Sequence, residues 1–520
     1  MASIILGPDR RVLPNWRSFG ETTAMGELGH YNVKLAHGNV FSINEYVNDW
    51  TQNRNVLFAG ELISAAVSNS QTDRDEVTDA AVFILKNKDD ATPVQIELAS
   101  SIIGSAEQNR DSQIQSGILD ILLRRDEIYQ KIILLKDRIN HYPYNPILYV
   151  ELARFYTLLG QERKAERSMK IAVQQAPHNR YVTRCAARLQ LHIGDKETAH
   201  EIITRNGLLK EDPWLLASEI SINMLRGRHS RYTKISRAVL KSGDFDAFTL
   251  SELASTMGTV ELLDGSSKKS REFFEQSLKK PNDNSLAQAE WAVSKRLHLH
   301  IGSQALQVKN NFEAQSMYLF FQEDFPKALE QAELWLCDTP FSKRAVLHGS
   351  EIAYIHLKQF DVAQQILNIG VQAHPKDAGL LNNLAYSYAL DGKIEDAEKQ
   401  LNIISRLNKS DIKPEEDVCC TATKGLLAYK RKDVEKGREL YTKAIHMAND
   451  LGIDDIEFQW NAMLNFMREE ILAAPEAKVP DEYINYIDNI KELPHQKYIT
   501  QLKSDVNALI KKRTLNMAEI

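Results

Sequence analysis

The chain has 520 residues, 43% apolar and 26% charged, the balance of a folded protein. Its 23 Gly and 15 Pro together make about 7% against a usual share of about 12%, which argues against a β-sandwich, a barrel or a long disordered chain and for helices joined by short loops. With 64 Lys/Arg against 70 Asp/Glu the net charge is −6, so the molecule as a whole is not a polycation.

The first forty residues hold five Gly and two Pro and lack helical periodicity. They form an expected extended arm, 1–42, in which Arg10, Arg11, Trp16, Arg17 and Phe19 are the candidate contact residues. Two readings of the arm stand: its apolar residues pack on the protein's own first helices, or it reaches a partner. The apolar run at the start is too short for a secretory signal, and charge follows it rather than precedes it. No stretch approaches the roughly 20 apolar residues of a membrane span. Four Cys without Cys-x-x-Cys spacing argue against a disulfide framework or a zinc ribbon. A soluble, cytoplasmic protein is expected.

Short amphipathic segments follow at 44–53, 55–68, 73–86 and 93–103, giving an N-terminal helical region over 43–108. A long connecting helix is expected within 109–142, where Ile114, Ile118, Ile121, Ile128, Ile132 and Leu135 recur at helical spacing. Helical segments at 457–474, 481–493 and 496–512 are separated by Pro and form an expected C-terminal cap, 452–520.

Between 143 and 451 a period of 34 residues governs the pattern. In the window Pro146–Asn179 small residues stand at positions 8 and 20 (Ala153, Ala165), large ones at 4, 7, 11 and 24 (Tyr149, Leu152, Tyr156, Met169), Gly160 at 15 and Pro177 at 32. The same template fits Ala378–Asp411 through Leu381, Leu384, Ala385, Tyr388, Gly392, Ala397 and Leu401. It fits Arg344–Asp377 and Lys309–Ser342 less fully, and Arg180–Asp212 and Val418–Leu451 weakly. Small residues at 8 and 20 let two helices of one unit approach closely, and Pro at 32 ends the second helix. The pattern resembles the tetratricopeptide repeat family. The resemblance implies an all-α fold, a right-handed superhelical array of helical hairpins, and no catalysis. In 213–308 the units diverge: hairpins persist at 214–225, 248–263 and 268–279 without the small residues, and 286–308 is expected as one long or irregular helix pair.

The sequence carries no phosphate-binding glycine loop, no nucleophile elbow and no His-Glu-x-x-His. His298 and His300 face different sides if they lie on a helix, so sharing a metal ion requires a loop or strand there. Neither a metal nor a cofactor is expected. An enzyme built within 43–104 remains a weak alternative, since that region is small for a catalytic domain.

The resemblance implies that positions 2, 5, 9, 12 and 13 of the first helix of each unit line a concave groove. In the early units, with the turn that follows them, these candidates are basic: Arg154, Arg184, Arg188, His192, Arg226, Arg228 and Arg231. The segment 143–241 has 17 Lys/Arg and 9 Asp/Glu, a net +8. The later units present Met317, Phe320, Phe321, His348, Ile352, His356, Asn382, Tyr386 and Tyr429, which are also candidates for inter-repeat core. Aromatic anchors with Arg nearby are interface chemistry. The Lys-and-Asn clamp that some members of the family use for a terminal carboxylate is not reproduced. The expected function is a scaffold or adaptor that holds an acidic or amphipathic partner segment and helps assemble a multi-protein complex. Nucleic-acid binding through 154–241 is the alternative.

Overall fold

The structure is a computed structural model. It describes residues 16, 43–68, 74–92, 95–96, 98–100, 102–103, 125–295, 297–302, 308–450, 456–474, 479–490 and 497–518. Of the arm candidates, Arg10, Arg11, Arg17 and Phe19 lie outside the described residues, as does the first part of the expected connecting helix.

All the regular structure among the described residues is helical. Three N-terminal helices, α1 (Ile43–Gln52), α2 (Val56–Ser68) and α3 (Asp75–Lys86), close around Trp50, Leu62, Ile63, Val77 and Ile84 as a small cluster of their own. The helix α4 (Arg125–His141) leads into the array and lays Ile128, Ile132 and Leu135 on its first hairpin.

The array is a succession of antiparallel pairs. They are α5 (Pro146–Leu158) with α6 (Glu162–Gln175), α7 (Arg180–Ile193) with α8 (Lys196–Thr204), and α9 (Pro213–Leu225) with α10 (Thr233–Ser242). Next come α11 (Ala247–Leu263) with α12 (Ser267–Ser277), then a lone α13 (Asp283–Ser294). The later pairs are α14 (Phe312–Phe321) with α15 (Phe325–Asp338), and α16 (Lys343–Glu351) with α17 (Phe360–Ala373). They end with α18 (Ala378–Leu390) and α19 (Ile394–Ser405), then α20 (Pro414–Lys430) and α21 (Val434–Asp450). The cap comprises α22 (Ile456–Ala473), α23 (Asp481–Asn489) and α24 (Lys497–Ala518).

Local chemistry sets where many first helices start. Asn145, Asn179, Asp212, Asp246, Asn282 and Asp377 are N-caps whose side-chain oxygens accept from backbone N–H groups of the first turn. Pro146 and Pro213 follow two of them at the position where a missing N–H costs nothing.

The turn between the two helices of a pair is also fixed. Gly160, Gly194, Gly227, Gly265, Glu323, Lys358, Gly392 and Lys432 all have positive φ, between +56° and +97°. Each follows the first helix of its pair and caps it with a left-handed residue. The turns at Gly227 and Gly265 show that the divergent stretch keeps the hairpin geometry. So does a close approach the sequence pattern concealed: a Cβ on Gly258 would meet the Phe274 ring at 2.9 Å, and Ser270 Oγ donates to the Gly258 carbonyl at 2.8 Å. Gly258 and Ser270 have the twelve-residue spacing of Ala153 and Ala165, so small residues were not lost here but replaced by Gly and Ser. Ser316 Oγ makes the reciprocal contact, donating from the first helix to the Ala328 carbonyl of the second at 2.7 Å. In α20 and α21 the pair is Gly425 and Gly437, packed against Tyr441 and Tyr429.

Two stretches depart from expectation. The expected helix pair at 286–308 is instead α13 up to Ser294, followed by non-helical chain at 297–302. There Leu297, Leu299 and Ile301 alternate inward while His298 and His300 are exposed. After α16 the helix becomes a π-turn over Ile352–His356. Glu351 stands there at position 8, and close approach passes to Gly349, whose Cβ would lie 3.3 Å from Ile366.

The left-handed turn predicts opposite effects for two exposed substitutions. Gly392→Ala, at φ +79° with open space around its Cβ, lowers the unfolding free energy by the cost of the backbone alone, about 1–2 kcal/mol. Lys432→Gly raises it by about 1 kcal/mol. Chemical denaturation of both variants checks the sign of each.

Candidate functional site

The inner face of the array is covered largely by the protein itself, in three zones that differ chemically.

The early zone is a set of matched charges. Arg184 Nη2 donates to Glu252 Oε2 of α11 at 2.5 Å, and both side chains are almost fully buried (5% and 1% exposed). Asn282 Nδ2 donates to the other oxygen of Glu252 at 2.7 Å. Arg180 pairs with Asp212 at 2.6 Å, and the guanidinium groups of Arg180 and Arg184 lie 5.1 Å and 4.9 Å from the centre of the Trp214 ring. Arg154 pairs with Glu151 at 3.3 Å. Arg226 and Arg228 both reach Glu197 of α8, and Arg237 reaches Glu261 at 2.6 Å. Much of the basic groove is thereby neutralised inside the chain. Glu252 lies 68 residues beyond Arg184, so no local pattern connects the two.

The second zone is a seam. The array curls until its first pairs meet the later ones, with the carbonyl of Gln372 2.8 Å from where a Cβ of Gly160 would stand. His192 and His374 lie ring to ring at 4.1 Å, and Phe341 is edge-on to His192 at 6.1 Å. Trp16 of the arm is seated here, 2% exposed and 5.4 Å from Phe341. Its cluster joins Ile128 and Val150 to Phe341 and Ala373. Burial, with each other's charge for His192, holds both imidazoles below the usual range. Arg188 is half-buried near both rings.

The third zone is the later inner face. Phe320, His348, Ile352, Asn382, Tyr386 and Tyr429 are buried, while Met317, Phe321 and His356 are half-buried. These residues are therefore not an open groove. Most of them belong to one continuous apolar cluster of the later pairs, and the cap closes over them. The Tyr386 hydroxyl donates to Asn465 Oδ1 of α22 at 2.8 Å, and the Tyr429 hydroxyl donates to Glu470. Lys430 pairs with Glu469 at 3.2 Å, Lys358 with Asp505 of α24 at 2.6 Å, and Lys497 with Glu323. His348 accepts or donates through Nε2 with Ser316 Oγ at 3.0 Å, and burial pushes its pKa down to about 3. His356 stacks on Phe325 at 4.0 Å and is pushed down to about 4, first by burial and then by Lys358 and Lys497. Both amide atoms of Asn382 are buried without a hydrogen-bond partner.

Other basic side chains, including Arg228 and Arg237 with their partners above, are exposed to solvent. Arg228 and Arg231 sit in the turn before α10, and α10 carries exposed Lys234, Arg237 and Lys241. Arg231 donates to its neighbour, the Tyr232 hydroxyl, at 2.9 Å. Gln276 Nε2 donates to the Leu240 carbonyl at 3.0 Å, which ties the end of α12, with exposed Lys279 and Lys280, to the end of α10. The sequence missed this placement because a charge run has no facing until the hairpin is built.

Among the described residues no group of three or more His, Cys, Asp or Glu could hold a metal ion, and no helix is long and apolar enough to cross a membrane. Burial raises the pKa of Cys419 to about 11 and of Cys420 to about 12, which suppresses the reactive thiolate.

No family model matches the chain, and no curated protein matches it. Among solved structures it is similar to yeast Tom70, at 12% identity over 78% of this chain and 97% of that one, with a TM-score of 0.30. It is also similar to the Cut9–Hcn1 hetero-tetramer of APC/C, at 10% identity over 91% of this chain and 99% of that one, with a TM-score of 0.30. At that similarity the matches carry no argument, and the reading of the fold rests on the hairpins themselves.

The buried pair makes a firm prediction. Glu252→Ala strands Arg184 in a desolvated site and costs about 3–5 kcal/mol of stability. An equilibrium unfolding series with wild type, Glu252→Ala and Arg184→Ala checks it, and losses under 1 kcal/mol would place the pair at the surface.

Proposed function

We propose that the protein is a non-catalytic scaffold or adaptor that holds an acidic segment of a partner protein and contributes to a multi-protein assembly. The observation that carries this reading is the division of the basic segment. Its inner cations are matched by carboxylates of the same chain, and those left to solvent stand together on the outer side of α10 and the end of α12. The docking surface is accordingly the outer ridge of Arg231, Lys234, Lys241, Lys279 and Lys280, not the inner groove. A hairpin array suits the task, since each helix pair rests on its neighbours and holds surface side chains at fixed spacing.

Nucleic-acid binding would use the same five cations, and it predicts affinity falling steeply with salt. The internal ion pairs reduce the charge available for it.

Capture of a partner by the full chain from lysate with and without nuclease treatment, compared with the Lys234→Glu/Lys241→Glu variant, tests the reading. The wild type retains a defined protein partner and the variant loses it by about tenfold or more, as expected when rim charges steer and hold an oppositely charged surface. Retention by the variant equal to wild type sinks the ridge, and retention that depends on nucleic acid favours the alternative.

A further inference from the structure

The cap has an apolar core of its own, built from Trp460, Leu464, Ile471, Ile487 and Leu502, and joins the cluster of the later hairpins through Ala462, Phe466 and Tyr498. Where α22 and α24 lie over the inner face, the two bodies do not interlock fully. A cavity of about 200 Å³, half open to solvent, remains between them.

This cavity is not apolar. Lys358 after the π-turn, Lys430 at the end of α20 and Arg468 of α22 all line it, with Tyr354 and Tyr386 beside them. Asp505 is the one carboxylate in its wall among the described residues. Lys358 is held by Asp505, while Lys430 and Arg468 share the single carboxylate of Glu469, at 3.2 Å and 2.8 Å. Three cations thus face two carboxylates. Arg468 Nη1 lies 3.5 Å from the Tyr386 hydroxyl. A planar oxyanion is the natural complement of a guanidinium group. The other walls, among them Ile355, Leu390 and Leu472, are apolar. The volume is below the roughly 300–1,000 Å³ of pockets that take drug-sized ligands. A π-turn in the wall fits as well, since such turns recur at functional sites.

We propose that this cavity binds a small organic anion. One carboxylate or phosphate monoester group is held by Arg468, Lys430 and Lys358, and a compact apolar body rests against Ile355, Leu390 and Leu472. Lys358 and Lys430 belong to the array and Arg468 to the cap, so the bound anion ties one to the other.

Titration calorimetry and thermal melting of the full chain test this with benzoate and phenyl phosphate as probes and benzyl alcohol as the uncharged control. Two variants accompany the wild type. Lys358→Met removes an exposed cation, and Leu472→Trp fills the cavity from a side chain that is 48% exposed and so tolerates enlargement. At least one anion binds saturably to the wild type and raises its melting temperature, the alcohol does neither, and both variants weaken binding by about tenfold. The stronger anion identifies the head group. No saturable binding of either anion below about 10 mM, or binding that either variant leaves undiminished, overturns the proposal.

Discussion

The structure depends on one recurring constraint: two helices must meet closely after a turn that passes through left-handed backbone. The turn residue has positive φ in pair after pair, from Gly160 to Lys432. The helices that follow touch through residues with little or no side chain, such as Ala153 and Ala165, Gly258 and Ser270, or Gly425 and Gly437. Close contact makes each pair a rigid unit, and stacking the units buries a series of apolar clusters along the array. Where the small residue is missing, at Glu351, the helix changes to a π-turn. That departure lies beside the cavity under the cap.

A second constraint follows from the first. Curling a stack of pairs brings charged inner faces toward each other, and buried charge is tolerated only when paired. Glu252 is placed for Arg184, Asp212 for Arg180, and Glu469 for both Lys430 and Arg468. Much of the inner charge is therefore matched by the chain itself through the seam and the cap, and the recognition surface we propose is the exposed ridge. The cap adds a different chemistry, because its polar contacts with the array leave a half-open, charged cavity beside the apolar contacts.

Much of the architecture was legible because it rests on local signals. Caps such as Asn145 and Asp377, glycines such as Gly160 and Gly392, and small residues at fixed spacing all announce themselves within one period. The divergent middle was less legible since Gly and Ser stand there for Ala. The fate of the candidate groove was not legible at all. Whether Tyr386 faces a partner or Asn465 depends on a helix 79 residues away, and whether Arg184 is available depends on Glu252, 68 residues away. Periodicity places a residue on a helix face, and long-range folding decides what covers that face.

Zero-length carbodiimide cross-linking of the full chain in solution, read by mass spectrometry, tests most directly that the cap closes the inner face. The account predicts amide links between Lys358 and Asp505, between Lys430 and Glu469, and between Lys497 and Glu323, alongside the local pairs Lys327–Asp324 and Lys436–Glu439. Local links without any of the three long-range ones would contradict it.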